Sequence, residues 1–96
     1  MPAVTRNGSD PSAGHCFPPR PTDSPGQGSV YANGILCTVV GAHYPTHTCG
    51  HSSHDGSASS GSGSVFFEGK PAHRIGDAIS CGDVSASGSS NVFAGG

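Results

Sequence analysis

The chain has 96 residues, a formal net charge of −2 and only four Lys+Arg, so a basic surface for nucleic-acid phosphates cannot be assembled from it. Hydrophobic residues make up 32% and aromatic residues 6%, with 16 Gly and 8 Pro, which bounds the chain to one small domain, residues 1–96, without a large core. Composition alone approaches that of a disordered segment, but only 10% of residues are charged and the apolar ones sit in short clusters, so a folded unit held by a staple is expected.

Met1 is followed by Pro2-Ala3-Val4-Thr5-Arg6, with no apolar core of a secretory signal, and no run is long enough to span a membrane. Synthesis in a reducing cytoplasm is expected. There the four Cys and six His favour a metal over disulfides.

In chain order, residues 1–10 run Pro-Ala into Arg6-Asn7-Gly8 and match the second half of a unit seen intact at 63–81. Pro18, Pro19, Pro21 and Pro25 exclude a helix or a central strand from 11–27. Gly28-Ser29-Val30-Tyr31-Ala32-Asn33-Gly34 then reads as a strand and tight turn, and Ile35–Gly41 as its β-branched partner. Residues 42–62 carry four histidines and read as a polar loop. The unit recurs as Gly63–Gly69 followed by Lys70–Asp77, and its first half recurs once more as Ser90–Gly96.

Val30 and Val65 are 35 residues apart, as are Gly34 and Gly69, and Gly41 and Gly76, while Val65 and Val92 are 27 apart. A strand pair used three times, with loops of varying length between copies, gives that spacing. The termini then complete one copy together. No segment has helical periodicity, so the expected fold is all-β: a small three-sided cone of short antiparallel strands with pseudo-threefold repeats. Gly34, Gly69 and Gly95-Gly96 should supply the positive-φ turns at its base.

Counting forward from Gly8, Gly41 and Gly76 reaches His15, His47 and Cys81 at the loop end of the object. Counting back eleven residues from Val65 and Val92 reaches His54 and, again, Cys81. His15, His47, His54 and Cys81 are therefore the candidate metal ligands, and three imidazoles with one thiolate suit a closed tetrahedral Zn2+ site. His43 and His51 are reserves for His47 and His54. Cys16 and Cys49 each adjoin a candidate ligand and are alternatives to it. Cys37 reads as a small buried core residue and His73 as a surface residue.

Gly14-His15-Cys16-Phe17-Pro18-Pro19-Arg20-Pro21, Gly28-Ser29-Val30, Asn33-Gly34, Lys70-Pro71-Ala72-His73-Arg74-Ile75-Gly76-Asp77 and Ser80-Cys81-Gly82 together resemble the PAAR-repeat proteins. Pro71-Ala72-His73-Arg74 stands where that family has Pro-Ala-Ala-Arg, and Val39-Val40-Gly41-Ala42 departs from its Arg-x-Gly-Asp pattern. The resemblance implies a cone with one structural zinc near its vertex, held by three His and one Cys. It implies a non-enzymatic tip, one chain per trimer, on the VgrG-like β-helical spike of a type VI secretion system. The tip would sharpen the spike for membrane piercing, with separate effector proteins as further partners and no effector domain of its own. It also implies a bacterial cytoplasmic location before firing and delivery to the target cell afterwards. A phage or tailocin spike tip, a small zinc-dependent effector enzyme and a segment that folds on its partner are the competing readings; no catalytic residue is expected.

Overall fold

The computed structural model describes residues 1–14, 19–49 and 52–95, and the architecture is all-β. Strands β1 (Tyr31–Ala32) and β2 (Ile35–Leu36) form one antiparallel hairpin, and β5 (Phe66–Phe67) and β6 (Lys70–Pro71) form another in matching register. Asn33 and Gly34 both have positive φ (57° and 78°), as do Glu68 and Gly69 (55° and 78°). Two consecutive left-handed residues make the tight turn whose twist matches the flanking strands. A third pairing joins the chain ends, where Ala3 bridges Phe93 as Leu36 pairs with Tyr31 and Pro71 with Phe66. Gly95 is not in the positive-φ region, contrary to expectation. Its partner segment, Pro2–Ala3, is reached through space, so the constraint acting at Gly34 and Gly69 is missing there.

The three strand pairs are tied together by a closed ring. The N–H of Thr5 donates to the carbonyl of His73 (2.9 Å), that of His73 to Thr38 (3.0 Å), and that of Thr38 back to Thr5 (2.9 Å). All three residues are fully buried. A second cycle runs in the opposite sense, from Asn7 to Leu36, Val40 to Pro71 and Ile75 to Ala3. Between the cycles, isolated bridges pair Val4 with Arg74, Cys37 with Arg6 and Ala72 with Val39.

Val4, Cys37 and Ala72 occupy the same step of each pair and form the centre of the first core, with Ala32 and Ala94. Val30, Val65, Phe67 and Val92 close it while only partly buried. Cys37 is thus the small core residue expected.

Each strand pair also starts on an equivalent cap. The side-chain oxygen of Gln27 accepts from the N–H groups of Ser29 and Val30; Ser62 does so for Ser64 and Val65, and Ser89 for Asn91 and Val92. The carbonyls of Cys37, Ala72 and Val4 receive their bonds from Gln27 Nε2, Ser62 N and Ser89 N. A glycine precedes each cap because the chain passes against its neighbour there. A Cβ on Gly61 or Gly88 would lie 2.6 Å from the carbonyl oxygen of Ala72 or Val4. Backbone cannot swing aside as a side chain can, so Gly61→Ala and Gly88→Ala should each lower stability by about 1–3 kcal/mol in urea unfolding, whereas Gly8→Ala meets no atom within 4 Å and carries only the cost of its φ of 72°.

Residues 42–62 are not a loop. β3 (His43–Cys49) and β4 (Ser52–Ser57) pair antiparallel, with a register shift between Tyr44 and His47. The polar composition hid this ribbon, whose apolar contribution is small. Tyr44, Ala42 and Ala58 pack with Ile79 and partly buried Cys81 as a second core. The ribbon accounts for an elongated molecule, 38 × 23 × 22 Å.

His73 is buried, correcting the expectation of a surface residue. Its Nδ1–H donates to the carbonyl of Ser60 (2.8 Å) and its Nε2 lies 3.1 Å from the hydroxyl of Tyr44, so the imidazole links the two cores. Burial pushes the Tyr44 hydroxyl up to about 12, leaving it a donor to the neutral imidazole. Burial likewise holds His73 below its ordinary value. The unfolded chain then takes up a proton near pH 6.5 that the folded chain refuses, so this group's contribution is lost as pH falls from about 6.5 toward the folded value. The unfolding midpoint should drop between pH 7.5 and 5, and His73→Gln should flatten the drop.

Candidate metal centre

Of the expected ligands, His47 and His54 fall on the ribbon and Cys81 against the second core. His47 and His54 are direct cross-strand partners in β3 and β4, so they share one face of the ribbon. Gly56 lies two residues beyond His54 and on the same face by strand alternation, about 7 Å along the chain. A Cβ at Gly56 would point at Cys81, 3.1 Å from its Sγ and 3.2 Å from its Cβ. The missing side chain of Gly56 makes room for the Cys81 thiol. Cys81 is free and partly buried, and lies within the short turn in which Ile79 N–H bonds Asp83 O and Gly82 N–H bonds Ile79 O.

His15, with the alternatives Cys16 and His51, lies outside the described residues, as do the side chains of His47, Cys49 and His54. Among the described residues no three His, Cys, Asp or Glu side chains gather as a metal site. Histidine nitrogen and cysteine sulfur, the donor types of the expected set, are the borderline-soft chemistry that zinc takes.

His43, the reserve for His47, has other partners in this structure. Its Nδ1 is 2.6 Å from Asp23 and its Nε2 is 2.8 Å from Asp55, so both nitrogens are on carboxylates. The imidazole joins the 19–25 segment to both ribbon strands, next to the backbone pairing of Ser24 with His43. Asp55 and Asp23, accepting from the ring, raise its proton affinity above the ordinary value.

Two arginine–aspartate pairs stiffen the loops beneath. Arg74 holds Asp77 through Nε (2.8 Å) and Nη2 (3.0 Å), while the Arg74 N–H donates to the same carboxylate. Arg6 and Asp10 repeat the arrangement at 2.6 and 2.8 Å, with one more residue in the loop. Burial pushes Asp77 up, but the side-chain and backbone bonds of Arg74 outweigh it and leave the carboxyl below the ordinary range. The third copy has Val39 in place of the arginine, and Val39 is buried. The closing glycines Gly8, Gly41 and Gly76 nonetheless share positive φ (72°, 99° and 89°), so the backbone turn survives the loss of its ion pair.

The described residues form no pocket. A sequence model of the PAAR motif matches residues 22–87 and, in a second overlapping match, 53–96. No curated protein matches the chain. In a pH titration followed by imidazole NMR, His43 should titrate above 6.5, and Asp23→Asn and Asp55→Asn should each bring it down.

Proposed function

This chain belongs to the PAAR-motif family, whose members are structural spike-associated proteins of type VI secretion systems, and on that premise we propose that it is the tip of a trimeric spike. The observation that carries this reading is the closed ring of Thr5, Thr38 and His73. It arranges three strand pairs of one chain around a common centre, so a monomer offers three comparable faces to three identical spike chains. The termini complete the third pair, and residues 1–96 act as one domain. One chain per trimer follows, with no catalytic residue required. Separate effectors are the further cargo, the bacterial cytoplasm is the location before firing, and the target membrane is met at firing.

His15, His47, His54 and Cys81 are the proposed ligands of one structural zinc at the narrow end. The ribbon supports this reading because, among the described residues, it rests on a core of four buried residues, Ala42, Tyr44, Ala58 and Ile79, which is small for a two-stranded element. A metal bound there supplies rigidity, since binding energy of a structural zinc is folding energy. Binding would need the Cys81 thiol to give up its proton and the imidazoles to be neutral.

The protein purified without a metal-affinity step should contain one zinc per chain and bind one chain per spike trimer by mass photometry or light scattering. Gly56→Ala should weaken the metal in competition with a chromogenic chelator, because its new methyl would press on Ile79 and Cys81. A stably folded, metal-free protein sinks the zinc assignment; three chains per trimer, or none, sinks the tip assignment.

A further inference from the structure

The outer faces of the three strand pairs repeat one feature that the fold itself does not use. Tyr31, Phe66 and Phe93 occupy the same position in each pair, two residues before Asn33, Glu68 and Gly95. They remain 59%, 53% and 47% exposed. Each sits across from a small or aliphatic residue, Leu36, Pro71 and Ala3. A small domain with six aromatic residues has placed three of them in water at equivalent sites. The core needs none of them, since the residues facing inward beside them are Ala32, Phe67 and Ala94.

The charges do not repeat. At the turns the equivalent positions hold Asn33, Glu68 and Gly95, an amide, a carboxylate and no side chain. Each is tied to the start of the neighbouring pair: Asn33 to Asn91, Glu68 to Ser29 and Gly28, and the carbonyl of Gly95 to Ser64. Lys70, next to the Glu68 turn, has no charged equivalent at Ile35 or Pro2, and its Nζ donates to the carbonyl of Gly26. A partner made of three identical chains presents the same group to all three corners. A basic residue placed to meet Glu68 would face Asn33 and Gly95 at the other two, where it would be desolvated without a counter-charge.

We propose that the spike is recognised through Tyr31, Phe66 and Phe93, each seated in one of three identical apolar sockets, with an uncharged polar rim around them. This rests on the spike-tip reading and specifies what the partner must look like. Aromatic anchors bury large area with few rotatable bonds, which suits a contact that must be the same three times. Because the shared element is apolar, association gains nothing from charge steering and is insensitive to salt.

The test uses the full chain and a soluble fragment of the trimeric β-helical spike from the same cell. Tyr31→Ser, Phe66→Ser and Phe93→Ser should each weaken binding by about tenfold or more, with unchanged unfolding midpoints because the side chains are exposed. Glu68→Asn, which keeps a residue suited to positive φ, should change affinity by less than about threefold, as should raising NaCl from 50 to 500 mM. Aromatic variants that bind like wild type, or binding abolished by Glu68→Asn or by salt, overturn the proposal while leaving the spike-tip reading intact. Wild-type protein that binds no trimer overturns that reading, and the proposal with it.

Discussion

The ring of three hydrogen bonds through Thr5, Thr38 and His73 is the constraint on which the rest of the structure depends. Each residue gives its N–H to one neighbour and its carbonyl to the other, so no strand pair can be removed or rotated without orphaning a donor and an acceptor. A net backbone hydrogen bond is worth about 0.5–1.5 kcal/mol, while a buried group left unpaired costs about 1–3 kcal/mol. The ring is fully buried, so the penalty for breaking it, more than the gain of forming it, keeps the three pairs in register. It also explains how so few large side chains suffice. Val4, Cys37 and Ala72 have little space to fill because the backbones already meet at the centre.

A closed ring tolerates unlike side chains, and this protein exploits that. The Thr38 hydroxyl donates to the carbonyl of Thr5, and the Thr5 hydroxyl bonds Ser85 and the carbonyl of Ser87. His73 instead extends away from the ring to Ser60 and Tyr44 and joins the first core to the second. Both bonds are made by the neutral imidazole, and the Tyr44 hydroxyl can serve it because burial keeps that hydroxyl protonated. The polar link is satisfied at both ends, so its burial orients the ribbon without leaving an unpaired group. Tyr44 opens the strand that continues to His47. Orientation of the candidate metal centre therefore starts from the ring.

Much of the fold was legible in the sequence because its units repeat. The spacing of Val30, Val65 and Val92 and of Gly34 and Gly69 identified the strand pairs and their turns, and Gly8, Gly41 and Gly76 share the positive φ that equivalence requires. The caps were missed although their signal was present. Gly26-Gln27, Gly61-Ser62 and Gly88-Ser89 sit at the same distance before each valine, but Gln beside two Ser disguises a shared role as backbone acceptor. The ribbon was missed for a different reason. Its strands are stabilised by ladder bonds and by one buried tyrosine, and neither leaves an apolar alternation to read. His73 was misjudged because a histidine beside Arg74 looks solvent-facing until the tyrosine it bonds, 29 residues earlier in the chain, is known.

The two ends of the molecule solve the problem of small size differently. At the hairpin end, three strand pairs share one core and one ring, so each supports the other two. At the ribbon end, among the described residues, one hairpin continues, and its partners are the 19–25 segment, held through Asp23 and His43, and the short 78–84 segment that carries Cys81. A two-stranded ribbon is marginal in water by itself, so these contacts matter to it. Gly56 then acquires a clear role. A larger residue would bury more surface against Ile79, but it would displace the thiol, and the chain keeps the thiol. Packing area is given up there to leave the sulfur its place, which is the arrangement that the proposed role of Cys81 as a metal ligand requires.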